Sequence, residues 1–143
     1  MTDDLALSPH FTLHEFLASQ TATRTPIPEQ FDPGDDIIEC LKYLCNNLIE
    51  QLRELNGNQP LHISSGYRCP RLNSAIKGAP NSQHMLGQAA DIDLGSKTAN
   101  QAFFELVKNS GFVFDQLINE FDFSWVHVSL TSDTNRQQVL IIT

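Results

Sequence analysis

Two of the five histidines stand in unusual company. His84 lies in Ser82-Gln83-His84-Met85-Leu86-Gly87-Gln88-Ala89-Ala90-Asp91, and His127 lies in Trp125-Val126-His127-Val128-Ser129. Alternation along the second segment puts Trp125, His127 and Ser129 on one face of a strand and Val126, Val128 and Leu130 on the other. The aliphatic face belongs to a core, which leaves His127 facing a cleft. In the first segment, Gly87 permits a tight reversal and Asp91 follows between small alanines that leave room for a ligand or ion. A loop histidine, a strand aspartate and a later strand histidine can converge as an N, N, O set with an open fourth position, which is how catalytic zinc is held. Two histidines and one carboxylate also suit the facial triad of a non-haem iron oxygenase. Asp93 shares the strand face of Asp91 and is the natural alternative ligand. Cys69 follows Arg68, whose guanidinium would lower a thiol pKa, so a cysteine nucleophile paired with either histidine is a further possibility.

The elements that must position these residues are legible from periodicity. Thr12 and Glu15 fit a capping box ahead of Leu13, Phe16 and Leu17, a short amphipathic helix. Residues 22–34, rich in Pro, Thr and Gly, read as an irregular connection. Ile37, Leu41, Leu44, Leu48 and Leu52 predict one packing helix from about Asp36 to Leu55, ended by Gly57. Residues 61–64 read as a strand and Pro70 opens a short helix through Ile76. A strand over 89–94 and a helix over 98–110, stopped at Gly111, come next. The last third reads as a β-meander of strands 113–121, 125–130 and 136–142. Helices first and strands last predict an α+β fold, a small mainly antiparallel sheet packed against helices.

Composition sets limits. A chain of 143 residues is expected to form a single domain over 1–143, with a helix and irregular segment over 1–35 and a terminal strand over 132–143. Nine Lys plus Arg against 17 Asp plus Glu leave a net charge of -8, which removes the basic footprint of a nucleic-acid or anionic-membrane binder. No apolar run approaches the roughly 20 residues of a spanning helix. The start, MTDDLALSPH, carries acids where a secretory signal carries bases, so cytoplasmic synthesis is expected, with release by lysis as for a phage or prophage product. Three cysteines, Cys40, Cys45 and Cys69, lack metal-type spacing and are expected to be reduced packing residues. Nothing in the sequence sets an oligomeric state.

The combination Ser82-x-His84-x-x-Gly87-x-x-x-Asp91 with Trp125-x-His127 resembles the zinc peptidases that include D-alanyl-D-alanine carboxypeptidases, phage L-alanyl-D-glutamate endolysins and the hedgehog amino-terminal domain. Phe11-Thr12-Leu13-His14-Glu15-Phe16, Ser65-Gly66-Tyr67-Arg68-Cys69-Pro70-Arg71-Leu72-Asn73 and Phe114-Asp115-Gln116-Leu117-Ile118-Asn119-Glu120 resemble further pieces of its small single-domain bacterial and phage branch, so the resemblance spans about residues 8–131. It implies a hedgehog-like fold, one zinc ion held by His84, Asp91 and His127 with water as fourth ligand, and hydrolysis of an amide bond in peptidoglycan stem peptides. It makes Arg68 a contact to the substrate carboxylate or a developing oxyanion, and places Ser82, Gln83 and Trp125 around the substrate, with Tyr67 structural. Many relatives carry an acid three residues before the last histidine; here that position is Ser124. Glu120 fits the general base of other members, with Asp122 as the fallback. The missing acid also keeps open a non-catalytic zinc module that binds cell wall or a protein.

Overall fold

The computed structural model describes residues 4–143. It is α+β: a helical layer covers one face of a five-stranded sheet. A short hairpin of β1 (Ala6–Ser8) and β2 (Phe11–Thr12) leads into α1 (Leu13–Leu17), where Glu15 reaches back to the Thr12 amide at 3.0 Å. The stretch expected to be irregular carries two helical turns, α2 (Gln20–Arg24) and a 3-10 turn at Pro28–Phe31. Ser19 caps the first by accepting the Ala22 amide at 3.1 Å, and Pro28 suits the first turn of the second.

The packing helix runs as α3 (Asp35–Leu44) and α4 (Glu50–Leu55), joined by a π turn at Cys45–Ile49. The wider turn brings Cys45, Leu48 and Ile49 into the core together. β3 (Ile63–Ser65), α5 (Pro70–Ala75), β4 (Ala89–Ile92) and α6 (Lys97–Lys108) follow. The core joins Leu41, Leu44, Leu48, Leu52, Phe103 and Val107 from the helices to Ile92, Leu117, Val126 and Val128 from the sheet. That is the aliphatic face expected for the 125–130 strand.

The last third is not a meander. β5 (Gln116–Glu120) and β6 (Trp125–Ser129) form the expected hairpin, but β7 (Gln138–Ile142) pairs with β5, in parallel, giving the order β3-β4-β6-β5-β7. β6 already has β4 on one edge and β5 on the other, so the terminal strand cannot lie beside β6 as a meander requires and joins the outer edge of β5 instead. Asp115 fastens this crossover: its Oδ2 accepts Arg136 Nη2 at 2.7 Å, and Oδ1 accepts the Arg136 amide at 2.8 Å. No helix among the described residues is long and apolar enough to cross a membrane, and all three cysteines are free.

Candidate metal centre

Register across the sheet sets the site. Asp91 on β4 stands directly opposite His127 on β6, and His127 stands opposite Ile118 on β5. Alternation sends Asp91 and His127 to the face away from the helices, where both are buried. His84 arrives from a 3-10 turn, Gln83–Leu86, that Gly87 ends at φ +72. A Cβ on Gly87 would sit 2.9 Å from the Ile37 carbonyl oxygen, so glycine is required there for space as well as for conformation.

His84 Nε2 lies 3.3 Å and His127 Nδ1 3.1 Å from the same oxygen, Asp91 Oδ1. The three side chains are the one group among the described residues able to hold a metal ion, their ligand atoms lying within 4.8 Å of one another. Donor atoms about 2.0–2.1 Å from a tetrahedral ion are separated by about 3.3 Å, so these spacings fit zinc. His84 Nδ1 donates to the Gly66 carbonyl at 2.6 Å, which leaves the Nε2 lone pair facing the centre. Burial pushes the Asp91 carboxyl up, but the two imidazoles outweigh it and hold the group well below the usual carboxylate range. A buried, ionised carboxylate flanked by two imidazole nitrogens is a receptor for a cation.

Glu120 is half-buried on the same face. Trp125 Nε1 donates to its Oε2 at 3.0 Å, and Oε1 lies 3.9 Å from His127 Nδ1. Burial and the nearby Asp91 charge raise its pKa. Arg68 is brought to the cleft by a loop pinned twice. Its amide donates to the His84 carbonyl at 3.0 Å, and the buried Gln30 bonds the backbone on both sides, to the Tyr67 carbonyl at 2.8 Å and from the Cys69 amide at 2.8 Å. The Arg68 Nη2 donates to Ser82 Oγ at 3.2 Å, while Nε is buried without a partner among the described residues. Ser82 Oγ also accepts the His84 amide at 3.2 Å, so it both caps its turn and touches the arginine. Gln83 and Trp125 line the same cleft of about 640 Å³.

The other candidates turn elsewhere. Asp93 Oδ1 accepts from the Gly95 amide and Asn100 Nδ2, holding the start of α6. Asp122 is exposed and paired with Lys97 at 2.6 Å. Ser124 Oγ donates to the Phe121 carbonyl at 2.7 Å. The buried Cys69 thiol accepts the Leu72 amide at the head of α5, and Tyr67 is buried in the core. Residues that no spacing pointed to also serve the site. Gly66 and Gln30 act through loop geometry. Lys77, Arg136, Leu140 and Ile142 join the cleft lining only through the fold.

The sequence matches the peptidase M15 family model over residues 9–129. A segment of 64 residues is 36% identical to the zinc D-Ala-D-Ala carboxypeptidase of Streptomyces albus G; it covers 45% of this chain and 25% of that protein. Since the family match takes in nearly the whole sheet, both histidines and Asp91, the chain belongs to the peptidase M15 family.

Proposed function

We propose that the chain is a zinc-dependent metallopeptidase that hydrolyses an amide bond in peptidoglycan stem peptides, D-Ala-D-Ala or another bond beside a D-residue. The observation that carries this reading is a buried two-imidazole, one-carboxylate cluster with a half-buried glutamate beside it in an open cleft. His84, Asp91 and His127 would hold the ion. Zinc there would supply Lewis acidity toward the scissile carbonyl and would make the attacking water more acidic.

The remaining work falls to protein groups. Glu120 takes the proton of the attacking water at Oε1 and passes it to the leaving nitrogen; Trp125 holds the other oxygen and so orients the carboxylate. Its raised pKa matches the task, because the group must both accept and release that proton. Arg68 offers a charged fork to the substrate carboxylate or the developing oxyanion, with Ser82, Gln83 and Trp125 as neighbouring walls.

The test is mass spectrometry of muropeptides incubated with zinc-loaded protein, with chelated protein and with a zinc-loaded Glu120→Gln variant. Shortened or cleaved peptides are expected in the first arm only, and the variant's rate should fall about 10²–10⁴-fold. Intact muropeptides in every arm, with zinc content normal, would instead identify a zinc-containing binding module.

A further inference from the structure

The turn that joins β5 to β6 is strained. Glu120 pairs with Trp125, so the hairpin loop is residues 121–124. Loops of this length are most often built around a right-handed type I turn. Here Phe121, Asp122 and Phe123 instead hold φ of 52, 57 and 58 in succession, all in the left-handed region. Residues with a Cβ enter that region at a cost, and ordinarily one at a time, so three in a row must be held there by their surroundings.

Most of the turn is so held. Asn119 Oδ1 accepts the Phe123 amide at 2.6 Å, and the Ser124 amide closes the turn on the Glu120 carbonyl at 3.1 Å. The buried Asn100 of α6 donates Nδ2 to the Phe123 carbonyl at 2.9 Å and to the Ser124 carbonyl at 3.2 Å. The Phe123 ring packs edge-on against Phe104 with centroids 5.6 Å apart. Phe121 gains no comparable burial. It is 50% exposed at the cleft, where its ring meets the Trp125 indole with centroids 5.3 Å apart. Neither burial nor backbone preference accounts for a half-exposed phenylalanine at that φ, and strain of this kind collects where geometry serves a site.

Contacts run on from Phe121 to the metal cluster. Trp125 Nε1 donates to Glu120 Oε2 at 3.0 Å, and Glu120 Oε1 lies 3.9 Å from His127 Nδ1. An indole free to turn would release the carboxylate; the Phe121 ring limits that turn. We propose that the left-handed turn is a positioning device for Glu120 and that Phe121 is the residue through which it acts: its ring fixes the Trp125 indole, the indole fixes Oε2, and Oε1 is left aimed at the cluster. The inference rests on the peptidase reading for what Glu120 does there.

Trp125 is the chain's single tryptophan, so its fluorescence reports this clamp directly. Phe121→Asn removes the ring and suits the left-handed backbone; relief of strain against loss of the ring pair should leave Tm within about 4 °C of wild type. In that variant the Trp125 emission should shift to the red and its quenching by acrylamide should rise, in metal-free and zinc-loaded protein alike. Zinc affinity and KM for muropeptides should stay within about twofold, while kcat falls about 10–100-fold. Phe121→Tyr, which keeps the ring, should restore both the fluorescence and kcat. Unchanged quenching in Phe121→Asn overturns the clamp, as does an unchanged kcat; a raised KM with normal kcat makes Phe121 a substrate contact instead. The parent reading fails separately: no cleavage by wild type, with the fluorescence difference intact, removes the peptidase and leaves the clamp, whereas cleavage without that difference removes the clamp alone.

Discussion

At the scale of single residues, the cluster depends on the atoms that hold its donors in place. His84 turns the Nε2 lone pair toward Asp91 because the Gly66 carbonyl accepts the Nδ1 N–H, and a carbonyl can do nothing but accept. Arg68 is the residue where truncation and conservative replacement should part. Burial lowers its pKa while Asp91 and Glu120 raise it, yet a guanidinium stays charged there. Arg68→Ala should reduce kcat/KM on stem peptides by about 10²–10³, the effect of losing one charged donor at a developing oxyanion. Arg68→Lys should recover only part, since it keeps the charge and loses the fork. Equal rates for wild type and the alanine variant would remove Arg68 from the catalytic machinery.

At the scale of elements, two joints set the geometry. The Gln83–Leu86 turn presents His84 and is closed by Gly87. Gly87→Ala must adopt φ near +72 and press its Cβ toward the Ile37 carbonyl. A left-handed conformation alone costs about 1–2 kcal/mol, and the close backbone contact adds to it, so a loss of roughly 3 kcal/mol is expected by chemical denaturation. Zinc affinity should fall in parallel because the same turn carries the ligand; an unperturbed midpoint would show that the turn has an alternative closure.

The second joint is Asp115–Arg136, which ties the start of β5 to the approach of β7. The Arg136 guanidinium beside Asp115 holds its carboxyl below the ordinary range. A depressed carboxyl contributes stability that is complete above its unfolded pKa of about 4 and is lost as pH falls through the folded value. Asp115→Asn should therefore cost about 1 kcal/mol near pH 7, an amount discounted for the exposed arginine. The gap between variant and wild type should begin to close in thermal melts only as pH falls below about 4. A gap that stays constant with pH would point to packing in place of the ion pair.

At the scale of the whole molecule, the metal cluster joins parts far apart in sequence: a turn after α5, the middle of β4 and the middle of β6. An ion bound there and not in the unfolded chain stabilises the entire domain. Zinc at 100 times its Kd adds about 2.7 kcal/mol, which for a domain of this size raises Tm by roughly 10 °C. Chelation should reverse the rise and a His127→Ala variant should lack it. A Tm indifferent to zinc would contradict a preformed metal centre.

Much of this architecture is local and was therefore legible. The heptad-like leucines of α3 and α4, the alternation of 125–130, and the punctuation of Gly87 and Gly111 each follow from contacts within a few residues. The spacing of His84, Asp91 and His127 likewise marked three donors, because alternation along a strand decides which side chains share a face. Pairing is another matter. That Asp91 faces His127 rests on the register of β4 against β6, and that β7 pairs with β5 follows both edges of β6 being taken. Glu120 is the base that the resemblance favours, with Asp122 as the fallback. The turn between β5 and β6 separated them, pointing one at His127 and the other at Lys97. Which residues have metal-binding chemistry and which periodicities bury a core are properties of side chains and their near neighbours, and both can be read along the chain. Which of those side chains meet, and that the closing strand brings Leu140 and Ile142 to the cleft, depends on strand register, a choice made between distant segments.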